Sequence, residues 1–174
     1  MKSAYLNLKA LILSQKSKTP DKVAKILLRN ILKIATAESC TGGLVSSRLT
    51  DVTGSSNYTR ANYVTYSKEA KHNILGVSQE TLDKFGAISP ECAYEMADGL
   101  LEITGSDVVI CTTGVAGPST DECQPVGLMY VACGYNGNIT VKKVKLNPNY
   151  SRKNMKFMFS EEALKLVIEI LKDI

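Results

Sequence analysis

The stretch Thr36-Ala37-Glu38-Ser39-Cys40-Thr41-Gly42-Gly43 joins an apolar, strand-like run to a helical one through a turn of small side chains. A side chain at such a turn stands at the strand's end, with the first N–H groups of the helix beside it. That arrangement suits a nucleophile, here Ser39, next to an oxyanion hole. It would equally suit a bound phosphate, and a plain connecting turn is the bland alternative. No G-x-x-x-x-G-K-[ST], G-x-G-x-x-G or G-x-S-x-G pattern occurs, which removes the chemistries those spacings serve.

A serine nucleophile needs a base. His72 is the sole histidine, and Lys71 precedes it on the same expected helix. A lysine base must be neutral, so its pKa of ~10.4 must fall through burial or a neighbouring cation. Tyr66 ends the strand just before and could relay the proton or orient the amine. The Tyr66 to Lys71 spacing is one residue too long for a Tyr-x-x-x-Lys dyad, and Ser67 to Lys71 is one too long for Ser-x-x-Lys. The bend Thr112-Thr113-Gly114-Val115-Ala116-Gly117-Pro118 follows the most apolar strand and offers a second wall, since ligands of open α/β sheets sit beyond strand carboxyl ends.

These residues need elements to hold them. Thr19-Pro20-Asp21 reads as a helix start with Thr19 capping. Residues 33–37 read as a strand, 44–49 as a helix, 62–66 as a strand, and Ser67 as the cap of a helix closed by Gly76. Short and long helices follow from Ser78 and from Ser89-Pro90, the second running to about Thr104. Val108-Val109-Ile110-Cys111-Thr112 is a continuous apolar strand. The runs 128–135 and 139–146 flank Asn136-Gly137, a strong hairpin signal, and a last helix spans about 151–172. The alternation predicts a three-layer α/β domain with a mixed sheet.

The chain has 174 residues and 44% hydrophobic residues, enough for one core without staples. No apolar run reaches the ~18 residues of a membrane span. Five cysteines without a Cys-x-x-Cys pair, and one histidine, argue against structural zinc and for reduced thiols in a cytoplasmic protein. Residues 1–33 hold eight basic side chains against one acid, Asp21. We expect residues 1–19 to be a basic N-terminal extension with solvated charges, and 20–174 to be the folded domain. Only four of the 21 basic residues are arginine, the better fork for phosphates and base edges. Nucleic-acid binding is therefore not expected.

Three stretches together resemble one family. Ala37-Glu38-Ser39-Cys40-Thr41-Gly42-Gly43, Tyr66-Ser67-Lys68-Glu69-Ala70-Lys71 and Thr113-Gly114-Val115-Ala116-Gly117-Pro118 with Pro125-Val126-Gly127 are similar to the CinA C-terminal domain family, which includes stand-alone nicotinamide-nucleotide amidases of the PncC type. The resemblance covers about residues 20–172. It takes in Leu49-Thr50-Asp51-Val52, Gly54-Ser55-Ser56, Leu75-Gly76-Val77 and Gly86-Ala87-Ile88-Ser89 in order.

It implies a three-layer α/β/α sandwich that deamidates nicotinamide mononucleotide to nicotinate mononucleotide and ammonia. It places a serine–lysine centre on Ser39 and Lys71 with Tyr66 alongside. Oxyanion or substrate contacts fall on Cys40, Thr41, Gly42, Gly43, Thr113, Gly114, Gly117 and Arg152. No metal, organic cofactor or membrane is implied, and a homo-oligomer stays open. The molybdopterin-binding-like domain of full-length CinA is not expected, since about 19 residues precede the match. The alternative is a non-catalytic nucleotide-binding module linked to competence or DNA damage. The chain departs from the family at Ser119-Thr120-Asp121-Glu122-Cys123-Gln124, which is short and lacks glycine and the usual lysine. Thr53 replaces a common proline, Asn149-Tyr150-Ser151 surrounds Arg152 in place of the family's Gly-Asp, and Lys156 stands where a second arginine is usual.

Overall fold

Two neighbouring parallel strands with almost no exposed side chain set the frame of the molecule. β1 (Ile34–Glu38) is buried throughout, and β3 (Val108–Gly114) is buried up to its last residue. The computed structural model describes residues 2–174. The other elements are α1 (Lys2–Lys16), α2 (Thr19–Arg29), α3 (Leu44–Thr50), β2 (Thr59–Val64), α4 (Lys68–Leu75), α5 (Gln79–Lys84), α6 (Pro90–Thr104), β4 (Leu128–Tyr135), β5 (Asn138–Lys145) and α7 (Arg152–Ile170). The sheet runs β2-β1-β3-β4-β5. The first three strands are parallel to one another, while β4 and β5 are antiparallel additions.

Side chains alternate across the buried strands, as the pleat requires. Ile34, Val108 and Ile110 pack with α2, α3 and α7. Ala35, Ala37, Val109 and Cys111 pack with the α4–α6 layer. Two cores on opposite faces of one mixed sheet make a three-layer α/β/α sandwich. The β4–β5 hairpin turns at Asn136 and Gly137, both with positive φ (49° and 75°), the backbone a type I′ turn demands. Lysines 142, 143 and 145 line the outer strand β5 and discourage pairing with another sheet.

Serine caps act at the three expected helix starts and also at α7. Ser67, Ser78, Ser89 and Ser151 accept from the amides of Ala70, Thr81, Cys92 and Asn154. Thr19 does not cap α2: Lys18 holds that position, and the Thr19 hydroxyl donates instead to Glu161 at 2.6 Å. β2 lies earlier than the pattern 62–66, because its pairing with β1 runs from Thr59 to Val64. Tyr66 therefore falls beyond the strand.

The lysine-rich segment before residue 19 contains a helix, α1. Its Ala10 is buried. Its Asn7 carboxamide accepts from the Ser151 amide at 2.8 Å and pairs with Asn154 at 2.8 Å, which ties α1 to the start of α7. Among the described residues, no helix is long and apolar enough to cross a membrane.

Candidate active site

Because β2, β1 and β3 are parallel, their carboxyl ends open on one edge of the sheet. The chain leaves β1 through α3 on one face and leaves β2 through α4–α6 on the other. The strand order thus reverses at β1, and a crevice forms beyond its end. Ser39 is the first residue after β1. Its amide donates to the Thr112 carbonyl at 2.9 Å, which fixes it against β3.

Lys71 reaches the same point from the first turn of α4. Its Nζ lies 3.1 Å from Ser39 Oγ, 2.8 Å from the Thr65 carbonyl and 3.3 Å from the Tyr66 carbonyl. The side chain is 1% exposed. Burial holds the amine below its ordinary value, as desolvation of a cation must. The nearby thiols of Cys92 and Cys40 are pushed up to about 12 by burial and so stay neutral at ordinary pH. Glu122 and Asp121 are the charges that oppose the lowering.

His72 occupies the other side of the helix. It is exposed, and its Nδ1 donates to the Val77 carbonyl at 2.8 Å. Of the two base candidates, only Lys71 meets Ser39. Tyr66 approaches the amine through its main-chain carbonyl. Its ring is 59% exposed, and its hydroxyl accepts from Arg152 at 2.9 Å. The phenol therefore lies at the mouth of the crevice and does not contact Lys71.

The turn after Ser39 uses Gly42 and Gly43 in the left-handed region (φ 59° and 87°), which glycine enters without steric cost. Not every amide there is available. Gly42 donates to the Ser39 carbonyl, and Val45 and Ser46 donate to the Glu38 carboxylate at 2.9 and 2.8 Å. The amides of Cys40, Thr41 and Gly43 have no acceptor among the described residues. Glu38, adjacent to Ser39 in sequence, also accepts from the Thr41 hydroxyl at 2.6 Å. It is a buried helix cap pointing away from the crevice. Thr113 is likewise committed, its hydroxyl donating to the Ala87 carbonyl at 2.5 Å.

The crevice has two connected lobes. One, of about 220 Å³, contains Ser39 and Lys71 and is walled by Ile88, Thr113 and Gly114. The other, of about 290 Å³, is lined by the bend 114–120 and Arg152. Cys40, Tyr66, Gly114 and Asp121 border both. Arg152 also donates to the Gly117 carbonyl, so α7 closes the far lobe. Lys156, one turn further on, abuts the glycine turn: a Cβ at Gly42 would lie 3.0 Å from its Nζ. Its i+4 spacing from Arg152 puts the two on one face of α7. The carbonyls that hold Lys71 carried no sequence signal, since any residue at positions 65 and 66 supplies them.

Comparison with known proteins agrees with this architecture. The family model of the CinA C-terminal domain matches residues 16–171. A CinA-like protein of Chlorobium phaeobacteroides is 44% identical over 155 residues, covering 87% of this chain and 37% of its own length. A competence-damage inducible protein of Acetivibrio thermocellus is 50% identical over 131 residues, covering 74% and 32%. The chain thus spans about a third of the length of these curated relatives. It spans nearly all of two solved structures. A CinA superfamily protein of Klebsiella pneumoniae has a TM-score of 0.85 at 30% identity, over 89% of this chain and 96% of that one. A competence/damage inducible protein of Agrobacterium tumefaciens has 0.84 at 33%, over 90% and 97%.

Proposed function

The chain belongs to the CinA C-terminal domain family, and from that premise we propose that it is an amidohydrolase that deamidates nicotinamide mononucleotide. The products are nicotinate mononucleotide and ammonia, formed through a serine acyl-enzyme. The observation that carries this reading is the buried Lys71 amine 3.1 Å from Ser39 Oγ.

The amine's surroundings suit a base. A neutral amine has two N–H donors and one lone pair. With the donors on the Thr65 and Tyr66 carbonyls, the lone pair faces Ser39. Ser39 Oγ attacks the carboxamide carbon as Lys71 takes its proton. The oxyanion is received by the uncommitted amides of Cys40, Thr41 and Gly43. The resulting Lys71 ammonium donates its proton to the departing amine, and ammonia leaves. Neutral Lys71 then takes a proton from water, which attacks the ester carbonyl; the Lys71 ammonium returns a proton to the departing Ser39 Oγ, and nicotinate mononucleotide leaves. Arg152 supplies a cation for the phosphate at the far end. Tyr66 is a positioning residue through its carbonyl, and its phenol holds Arg152.

The test is ammonia release from nicotinamide mononucleotide, with Ser39→Ala as the companion. The native chain should release ammonia. Ser39→Ala should lose about 10³-fold or more in kcat while retaining nucleotide affinity. Tight binding without turnover in the native chain would favour the non-catalytic module. Near-normal activity of Ser39→Ala would remove the acyl-enzyme.

A further inference from the structure

We propose that Asp121 is a specificity residue that selects carboxamides carried on a cationic ring, a pyridinium, over those on neutral rings. This deepens the amidase reading of the same crevice and rests on it for the identity of the substrate.

The argument starts from which charges bordering the crevice are already compensated. Glu38 is consumed by two amides and a hydroxyl of the α3 turn. Glu122 pairs with Lys68 at 2.7 Å and accepts from the Ile88 amide at 3.1 Å. Asp121 borders both lobes. Its carboxylate has no hydrogen bond or ion pair among the described residues; only its backbone is engaged, with Gln124 on both sides. It sits at the exposed rim of the crevice, and its charge is among those that oppose the lowering at Lys71.

In the lobe away from Ser39, Arg152 has no carboxylate partner among the described residues. The crevice therefore has an unpaired anion, Asp121, on the border shared by both lobes and an unpaired cation, Arg152, in the lobe that does not contain Ser39. A molecule that complements this pattern carries a positive centre close to its scissile amide and a negative group further off. A pyridinium carboxamide bearing a phosphate has that order of charges. A neutral dihydropyridine with the same amide and phosphate does not.

The loop is built to hold Asp121 at this border. The Lys68–Glu122 pair and the Glu122–Ile88 bond clamp the next residue to α4 and to the start of α6. Glu122 and Cys123 take the left-handed backbone (φ 47° and 58°), a conformation non-glycine residues hold only when their surroundings impose it. Asn at 121 keeps the backbone bonds and the side-chain shape, and removes the charge.

Two measurements test the idea independently of each other. In the first, kcat/KM of the native chain and of Asp121→Asn is compared on nicotinamide mononucleotide and on its reduced, uncharged-ring form. Asp121→Asn should lose about fivefold on the cationic ring, the scale of one partly exposed charge pair, and nothing on the neutral one. In the second, binding of 1-methylnicotinamide and of nicotinamide is measured in the Ser39→Ala background with and without Asp121→Asn. The preference for the cation should fall by the same factor. Turnover with an unchanged cation-to-neutral ratio would overturn the role of Asp121 and leave the amidase reading intact. No turnover, with cation preference lost in Asp121→Asn, would do the reverse. A preference that is absent in the native background also overturns the role of Asp121.

Discussion

Lys71 shows how the fold can put a residue in surroundings its type does not ordinarily have. A helix-borne lysine is normally solvated and protonated. Here the short link from Tyr66 folds it under the end of β2, where two carbonyls and Ser39 surround the amine. Burial is the main reason that its proton is weakly held. Activity should therefore rise with pH through an ionisation below the ordinary lysine value and then level off. Lys71→Arg keeps the charge but cannot deprotonate, and should abolish nearly all turnover. His72→Ala should change little, because that ring serves the Val77 carbonyl. Steady-state rates of the three proteins from pH 6 to 10 decide the matter. A dead His72→Ala with an active Lys71→Arg would reverse the assignment. At this scale turn chemistry and element order offered Ser39 as a nucleophile with Lys71 or His72 as its base, and the choice of Lys71 came from the family resemblance. The sequence did not reveal that the phenol of Tyr66 turns outward. Ring direction at a strand's end depends on which partner waits there, and Arg152 comes from the far end of the chain.

Most elements were legible because local rules and tertiary packing agree on them. The serine caps, the Asn136-Gly137 hairpin and the apolar β3 need only neighbours in sequence. The misreadings arise where a distant partner decides. Thr19 has the chemistry of a cap, yet its hydroxyl serves Glu161, and β2 is bounded by its pairing with β1. The sheet order itself is set by which helices lie on which face. One contact between elements bears directly on the site. Gly99 of α6 lies against the backbone at the end of α4, where an added Cβ would meet the Leu75 carbonyl. Gly99→Ala should force α6 away from α4 and cost about 1–3 kcal/mol. Since α4 carries Lys71, the displacement should also lower kcat more than it raises KM. Urea unfolding together with steady-state kinetics would show both. A variant as stable and as active as the native chain would mean the two helices separate freely.

Across the whole molecule, the rear of the site is fastened by a buried polar knot. Arg48 of α3 donates to Glu161 of α7 at 2.6 Å and to Ser160 at 2.8 Å. Ser17, between α1 and α2, and Thr19, the first residue of α2, donate to the same carboxylate at 2.8 and 2.6 Å. The guanidinium also lies over the Phe157 ring at 4.6 Å. Glu161 is 3% exposed and Arg48 7%, so removing one partner leaves the other charge buried. Arg48→Met should cost about 3–5 kcal/mol, and a well-packed double replacement with Glu161→Met should recover much of it. The knot also fixes α7 in rotation, and with it Arg152 at the crevice and Lys156 against the glycine turn. At Glu161 burial raises the carboxyl's pKa, but hydrogen bonds from Thr19, Arg48 and Ser17 outweigh it and hold the group below its ordinary value. A carboxyl depressed in the folded state stabilises above its unfolded pKa of ~4.3 and loses that contribution as pH falls through the folded value. The stability advantage of the native chain over Glu161→Gln should therefore be full at pH 7 and shrink below about pH 4.3. Urea unfolding of both proteins from pH 7 to pH 3 measures it. A gap that stays constant as the pH falls would show that the carboxylate's charge plays no part in fastening α7 to α3.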